Sequence, residues 1–118
     1  MDHPFDLSSL MKNLSGDEQI VFELLEEFVD HYPQRLEEMK EAIDSGNALL
    51  LTRTAHSYKG AISNFGATRA QSIASELETY GTLEQVDQAL PAWHELVVEM
   101  KRFQEHYDRI VATTKDQG

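Results

Sequence analysis

Apolar residues recur at three- and four-residue steps along almost the whole chain, the period of a helix with one buried face. Val21, Leu25, Phe28, Tyr32, Leu36, Met39 and Ile43 keep one stripe in phase through a long first segment. Leu51, Ala55, Tyr58, Ile62 and Phe65 form a second stripe, and Ala70, Ile73, Ala74, Leu77 and Tyr80 a third. A fourth runs through Val86, Leu90, Trp93, Val97, Met100, Phe103 or Gln104, Tyr107 and Val111. Ahead of them, Phe5, Leu7, Leu10, Met11 and Leu14 supply enough apolar surface for a short helix from about Ser8 to Asn13. The Val/Ile/Thr alternation that strands need is absent. Together these patterns predict an all-α fold, an antiparallel up-down-up-down four-helix bundle with a short N-terminal helical cap.

Turn and cap residues place the boundaries. Ser15-Gly-Asp-Glu18 reads as a capping box, with Ser15 as N-cap and Glu18 at N3. Asp17 and Glu18 also complement the positive end of the helix dipole. Pro33 removes one backbone hydrogen bond from the first long helix. Because the stripe keeps its phase across Pro33, a kink is favoured over a reversal, a break with Pro33 at N1 being the alternative. Gly46 is the expected C′ residue. Asn47 opens the central helix, which runs to about Asn64, with Gly66 as its stop. Thr68 can cap the next helix with Gln71 at N3, Gly81 ends it, and Thr82-Leu-Glu-Gln85 reads as another capping box. Pro91 implies either a kink or a restart in the last helix. Residues 1–118 form a single domain, with 1–14 as the cap segment and 113–118 as a frayed polar tail.

Composition narrows the function classes. The 118 residues can bury one core unaided, and the lack of cysteine excludes disulfides, thiolate chemistry and Cys-type zinc sites. The N-terminal Met1-Asp-His-Pro-Phe-Asp6 has neither the basic nor the apolar region of a secretory signal. No run approaches a membrane span, so a soluble cytoplasmic protein is expected. Twenty-one acids against ten Lys and Arg give a formal net charge of −11, which disfavours nucleic acid and anionic membranes as partners. No acidic residue lies between Asp44 and Glu76, whereas Arg53, Lys59 and Arg69 do. That local field suits an anionic reactant.

The acid-free tract carries His56, Lys59, Gly60 and Ser63 on one flank of the predicted central helix. Mid-helix glycine costs about 1 kcal/mol relative to alanine, so Gly60 implies a close approach to the backbone there. The inward Glu-x-x-His pairs of di-metal bundles do not occur, nor do His-x-x-x-His and His-Glu-x-x-His, and no metal site is expected. Walker-type loops, Gly-x-Gly-x-x-Gly and a nucleophile elbow are likewise missing. What remains is an imidazole that can act as a nucleophile near neutral pH. A phosphoryl group on it would bring roughly two negative charges. Lys59, one turn along, would offset part of that charge, and Arg53 would add to the effect.

Ala55-His-Ser-Tyr-Lys-Gly60, followed by Asn64-Phe-Gly-Ala67, resembles the signature of histidine-containing phosphotransfer (HPt) domains, approximately Ala-His-x-Leu-Lys-Gly and Asn-Leu-Gly-Ala. The Phe28 to Met39 segment and Glu76-Leu-Glu78 are also similar to that family. The resemblance implies that His56 is phosphorylated at Nε2 by a receiver-domain aspartyl phosphate and passes the group to another response-regulator aspartate. It makes Lys59 the phosphate-side cation, Gly60 the space-making residue and Glu78 the hydrogen-bond partner of Nδ1. It further implies a monomeric phosphocarrier with no cofactor of its own, since Mg²⁺ and most catalytic groups belong to the receiver. The partners would be receiver domains of response regulators and of a hybrid sensor kinase. A module that sequesters a receiver without being phosphorylated, or the phosphoacceptor domain of a larger kinase, are the alternatives. Tyr58 and Phe65 stand where the family pattern has leucine; Tyr58 needs a partner for its hydroxyl if buried.

Overall fold

The computed structural model describes residues 3–13 and 17–117. Among them are five helices: α1 (Leu7–Asn13), α2 (Glu18–Ser45), α3 (Ala48–Ile62), α4 (Thr68–Thr82) and α5 (Leu90–Gln117). No strand occurs among the described residues. Helices α2, α3 and α4 each pack on their successor, α5 closes back on α2, and α1 lies against the turn that follows α3. The molecule is elongated, 48 × 25 × 23 Å, because α2 and α5 have 28 residues each and α3 and α4 only 15.

The stripes of the first three long helices are those expected. Val21, Leu25, Phe28, Tyr32, Leu36 and Met39 are buried on α2, with Ala42 in place of the half-buried Ile43 at its end. Leu51, Ala55, Tyr58 and Ile62 are fully buried on α3. From Ala89, just before α5, the buried line continues on the helix through Ala92, Leu96, Glu99, Met100 and Phe103, so the expected stripe is rotated. Leu90, Trp93, Val97 and Tyr107 lie half-buried beside it. Small alanines let α5 approach closely, while Trp93 spans the gap to α2 and donates its indole N–H to the Leu36 carbonyl at 2.9 Å.

Several boundaries differ for identifiable reasons. Asp17, not Ser15, is the N-cap of α2 and accepts from the Ile20 N–H at 3.2 Å, which makes Glu18 the first helical residue. Ser15, like Leu14, lies outside the described residues. Helix α2 continues through Pro33, so no second helix starts there. Gly46 has φ +68° and returns its N–H to Ala42 and Ile43, and Asn47 caps α3 through the Leu50 N–H at 3.0 Å. The central helix ends at Ile62 and tightens into a 3-10 turn, Ser63–Phe65, before Gly66 at φ +65°. Thr68 is helical, the N-cap being Ala67 without a side-chain bond. Gly81 lies inside α4 and does not stop it. The Thr82–Gln85 capping box does not form, because the Thr82 hydroxyl bonds back to the Glu78 carbonyl at 3.0 Å. A 3-10 turn, Val86–Gln88, intervenes instead, and α5 starts anew at Leu90 with Pro91 in its first turn, where a missing N–H costs nothing. Helix α5 extends to Gln117 through the segment expected to fray, and Gly118 lies outside the described residues.

An aromatic cluster fills the centre. Phe28 packs on Phe65 and Phe103 with ring centroids 5.2 Å from each, and edge-on to Tyr58 at 5.9 Å. Phe5 reaches Phe103 at 4.4 Å and fastens the N-terminal segment to the bundle. Glu99, 3% exposed, is held by Arg102 at 2.7 Å and Arg69 at 3.7 Å. The buried Tyr58 hydroxyl has no hydrogen-bond partner among the described residues, and burial pushes its pKa well above the ordinary phenol value. The partner expected for it is therefore missing. Leaving a buried hydroxyl unsatisfied costs about 1–3 kcal/mol, so Tyr58→Phe should stabilise the protein by about 1 kcal/mol, read as a higher urea midpoint. A lower midpoint would mean that the hydroxyl is satisfied after all.

Candidate functional site

Burying Leu51, Ala55, Tyr58 and Ile62 turns the opposite face of α3 outward. With the inward face fixed, 100° steps put Gly60 and Arg53 at the crest of the outer face. His56, Lys59 and Ser63 fall on the flank toward α4, and Ser57 on the flank toward α2. His56 is 73% exposed in its side chain. Its Nδ1 lies 2.7 Å from Glu78 Oε2, on α4. Lys59 Nζ donates to the other oxygen, Glu78 Oε1, at 3.0 Å. One carboxylate thus bridges the imidazole and the lysine.

The bridge settles a proton position. Hydrogen bonding from Lys59, and to a lesser degree from His56, holds the Glu78 carboxyl below its ordinary range, against a partial desolvation that raises it. An ionised carboxylate only accepts hydrogen bonds, so Nδ1 carries the hydrogen. When the imidazole is neutral, the lone pair then lies on Nε2, across the ring from Glu78. The folded pKa of Glu78 lies below the unfolded one, so its contribution to stability is present above the unfolded value. That contribution is lost as pH falls through the folded value, and the bridge is intact at neutral pH.

The remaining sequence candidates occupy different positions. Ser63 donates to the Gly60 carbonyl at 2.8 Å and so serves the helix end, not the imidazole. Arg53 is exposed, makes no ion pair among the described residues, and lines a cleft toward α2. A Cβ built on Gly60 would meet nothing within 4 Å. No part of the chain uses the space, which lies open beside the imidazole. Gly60→Ala should therefore raise stability by about 1 kcal/mol through helix propensity alone, measured by urea denaturation; a loss would reveal a packing role. Sequence reasoning missed Arg35 on α2, which donates to Ser57 Oγ at 2.8 Å, next to His56. Its offset from the apolar stripe by one residue, Arg35 beside Leu36, was the available signal. Among the described residues no group of three or more metal-type side chains comes together.

A bundle of this kind, with an exposed histidine tied to a neighbouring helix, defines the class of chain to which comparison points. The Hpt domain family model matches residues 23–113. The chain belongs to that family, and so takes a histidine-phosphotransfer role in two-component signalling, as a phosphocarrier working with receiver domains. The chain is similar to the crystal structure of histidine-containing phosphotransfer protein B (HptB) from Pseudomonas aeruginosa PAO1. The two share 26% identity with a TM-score of 0.82, over 90% of this chain and 92% of that one. It also shares its fold with the HPT domain of an Hpt sensor hybrid histidine kinase from Shewanella. There the identity is 18% and the TM-score 0.82, over 94% of this chain and 96% of that one. No curated protein matches the chain by sequence. No helix among the described residues is long and apolar enough to cross a membrane.

Proposed function

We propose that His56 accepts a phosphoryl group from a receiver-domain aspartyl phosphate and returns it to the aspartate of another response regulator. The observation that carries this reading is the 2.7 Å contact between Glu78 and Nδ1 of a 73% exposed imidazole, which leaves Nε2 as the nucleophilic atom. The Nε2 lone pair attacks phosphorus in line. A P–N bond forms as the P–O bond to the aspartate breaks, and the leaving electrons return to the receiver's carboxylate. Nδ1 keeps its proton, donated in a hydrogen bond to Glu78, throughout, so no separate base is needed. The reverse sequence delivers the group to the next aspartate.

Lys59 and Gly60 have complementary parts in this reading. Lys59 Nζ, 3.0 Å from Glu78, moves toward the arriving phosphoryl oxygens, exchanging one anion for another. The open space over Gly60 admits the phosphoryl group and the partner's backbone. Arg53 contributes to the local positive field, and Ser63 holds the backbone at Gly60. The protein acts as a monomer in the cytoplasm, on the receiver domains of a hybrid sensor kinase and of response regulators. The test is incubation with a ³²P-phosphorylated receiver. An acid-labile, base-stable label on this chain is expected; no label from any receiver, or an acid-stable one, overturns the proposal.

A further inference from the structure

The two flanks of His56 are electrostatically unequal. Toward α4, the Lys59 charge is compensated by Glu78 at 3.0 Å. Toward α2, a cleft of about 470 Å³ separates α2 from α3 and is lined by Arg35 and Arg53 from opposite sides. Arg35 is half-buried and donates to a neutral group, the Ser57 hydroxyl at 2.8 Å. Arg53 precedes His56 by one turn and is exposed. Glu27 and Glu38 line the same cleft, yet among the described residues neither pairs with either arginine. On a chain of formal net charge −11, two guanidinium groups without an ion pair among the described residues thus face one cleft beside the reactive histidine.

We infer that Arg35 and Arg53 form a docking lip that seats the anionic edge of the phosphorylated receiver on the α2 side of His56. The inference rests on the phosphotransfer reading above, and it names residues that determine the recognition of that partner. An aspartyl phosphate brings roughly two negative charges, and a guanidinium fork matches carboxylate and phosphate oxygens geometrically. Ser57 keeps the Arg35 side chain in the cleft, which limits the rotamer freedom lost when an anion arrives. Neither arginine contacts the imidazole, so the lip acts on encounter and not on P–N bond formation. Charges placed in this way govern association rate and salt dependence more than turnover.

The experiment is the transfer rate from phosphorylated receiver to the full chain, measured against receiver concentration at low and at physiological salt. Arg35→Gln and Arg53→Gln should each raise KM about fivefold at low salt, the size of one exposed charge contact. Both should flatten the salt dependence, and Arg35→Gln should leave the saturating rate unchanged. Arg35→Lys, which keeps the charge, should retain most of the wild-type salt slope. A lowered saturating rate in Arg35→Gln, or wild-type KM and salt slope in both glutamine variants, overturns the lip while leaving the phosphotransfer reading standing. A fully neutral slope in Arg35→Lys would likewise overturn it, by making the defect structural. Absence of any label on the wild-type chain overturns both.

Discussion

Replacing His56 by glutamine should abolish phosphoryl transfer completely and barely change stability. Glutamine is no nucleophile toward an acyl phosphate, and among the described residues no other histidine is hydrogen-bonded to Glu78: His31 lines the cleft on the α2 side, His94 packs on Trp93, and His3 and His106 stack on each other, 4.8 Å apart, next to Phe5. The imidazole is 73% exposed and makes one hydrogen bond, to a carboxylate that Lys59 also holds. An exposed pair of this type contributes at most about 1 kcal/mol, and a glutamine amide can still donate to Glu78. The urea midpoint should therefore move by no more than about 0.5 kcal/mol in free-energy terms, while the acid-labile label disappears. Retention of the label in the folded variant would remove His56 from the mechanism. Loss of the label together with loss of the fold would instead mean that the side chain is structural, contrary to its exposure.

The bundle was legible in the sequence because its information is periodic. The stripes of α2, α3 and α4 follow from residue spacing alone, and the cap glycine Gly46 and the N-cap Asn47 from local backbone chemistry. The candidate site stood out in the sequence for a different reason: mid-helix glycine beside histidine and lysine in an acid-free tract contradicts local preference, and such conflicts concentrate at functional positions. The α5 stripe misled because it was read on its large residues, whereas the close contacts are made by Ala89 and Ala92. Capping boxes misled at Thr68 and Thr82, where the motif is present and the hydroxyl does not cap. Arg35 was not found because its significance is a cross-helix relation to Ser57, invisible in either segment alone. Gly81 was assigned the wrong task for the same reason.

The two helical glycines flanking the site should respond to one methyl group with opposite signs. A Cβ on Gly81 would collide with Thr52 Oγ1 and stand 2.7 Å from the Thr52 nitrogen and 3.0 Å from the Ala48 carbonyl. The hydroxyl could rotate away, but the other two atoms belong to the backbone of α3, so the helices must part. Overpacking of that kind costs typically about 1–3 kcal/mol, and alanine's better helix propensity returns about 1 kcal/mol. Since rigid backbone is what resists, the upper end applies, and Gly81→Ala should lose about 2 kcal/mol net. Gly60→Ala, with nothing within 4 Å of the new carbon, should gain about 1 kcal/mol. Their functional effects should be ordered the other way around. On the proposed mechanism, Gly60→Ala places a methyl group where the phosphoryl group and the partner approach, so transfer should slow in a more stable protein. Gly81→Ala leaves that space open and acts only by moving α4, and with it Glu78, one turn away, off the imidazole and Lys59. Paired urea midpoints and transfer rates separate the two. If both variants were destabilised, the open space over Gly60 would be refuted; if Gly60→Ala transferred at the wild-type rate, that space would have no part in the reaction.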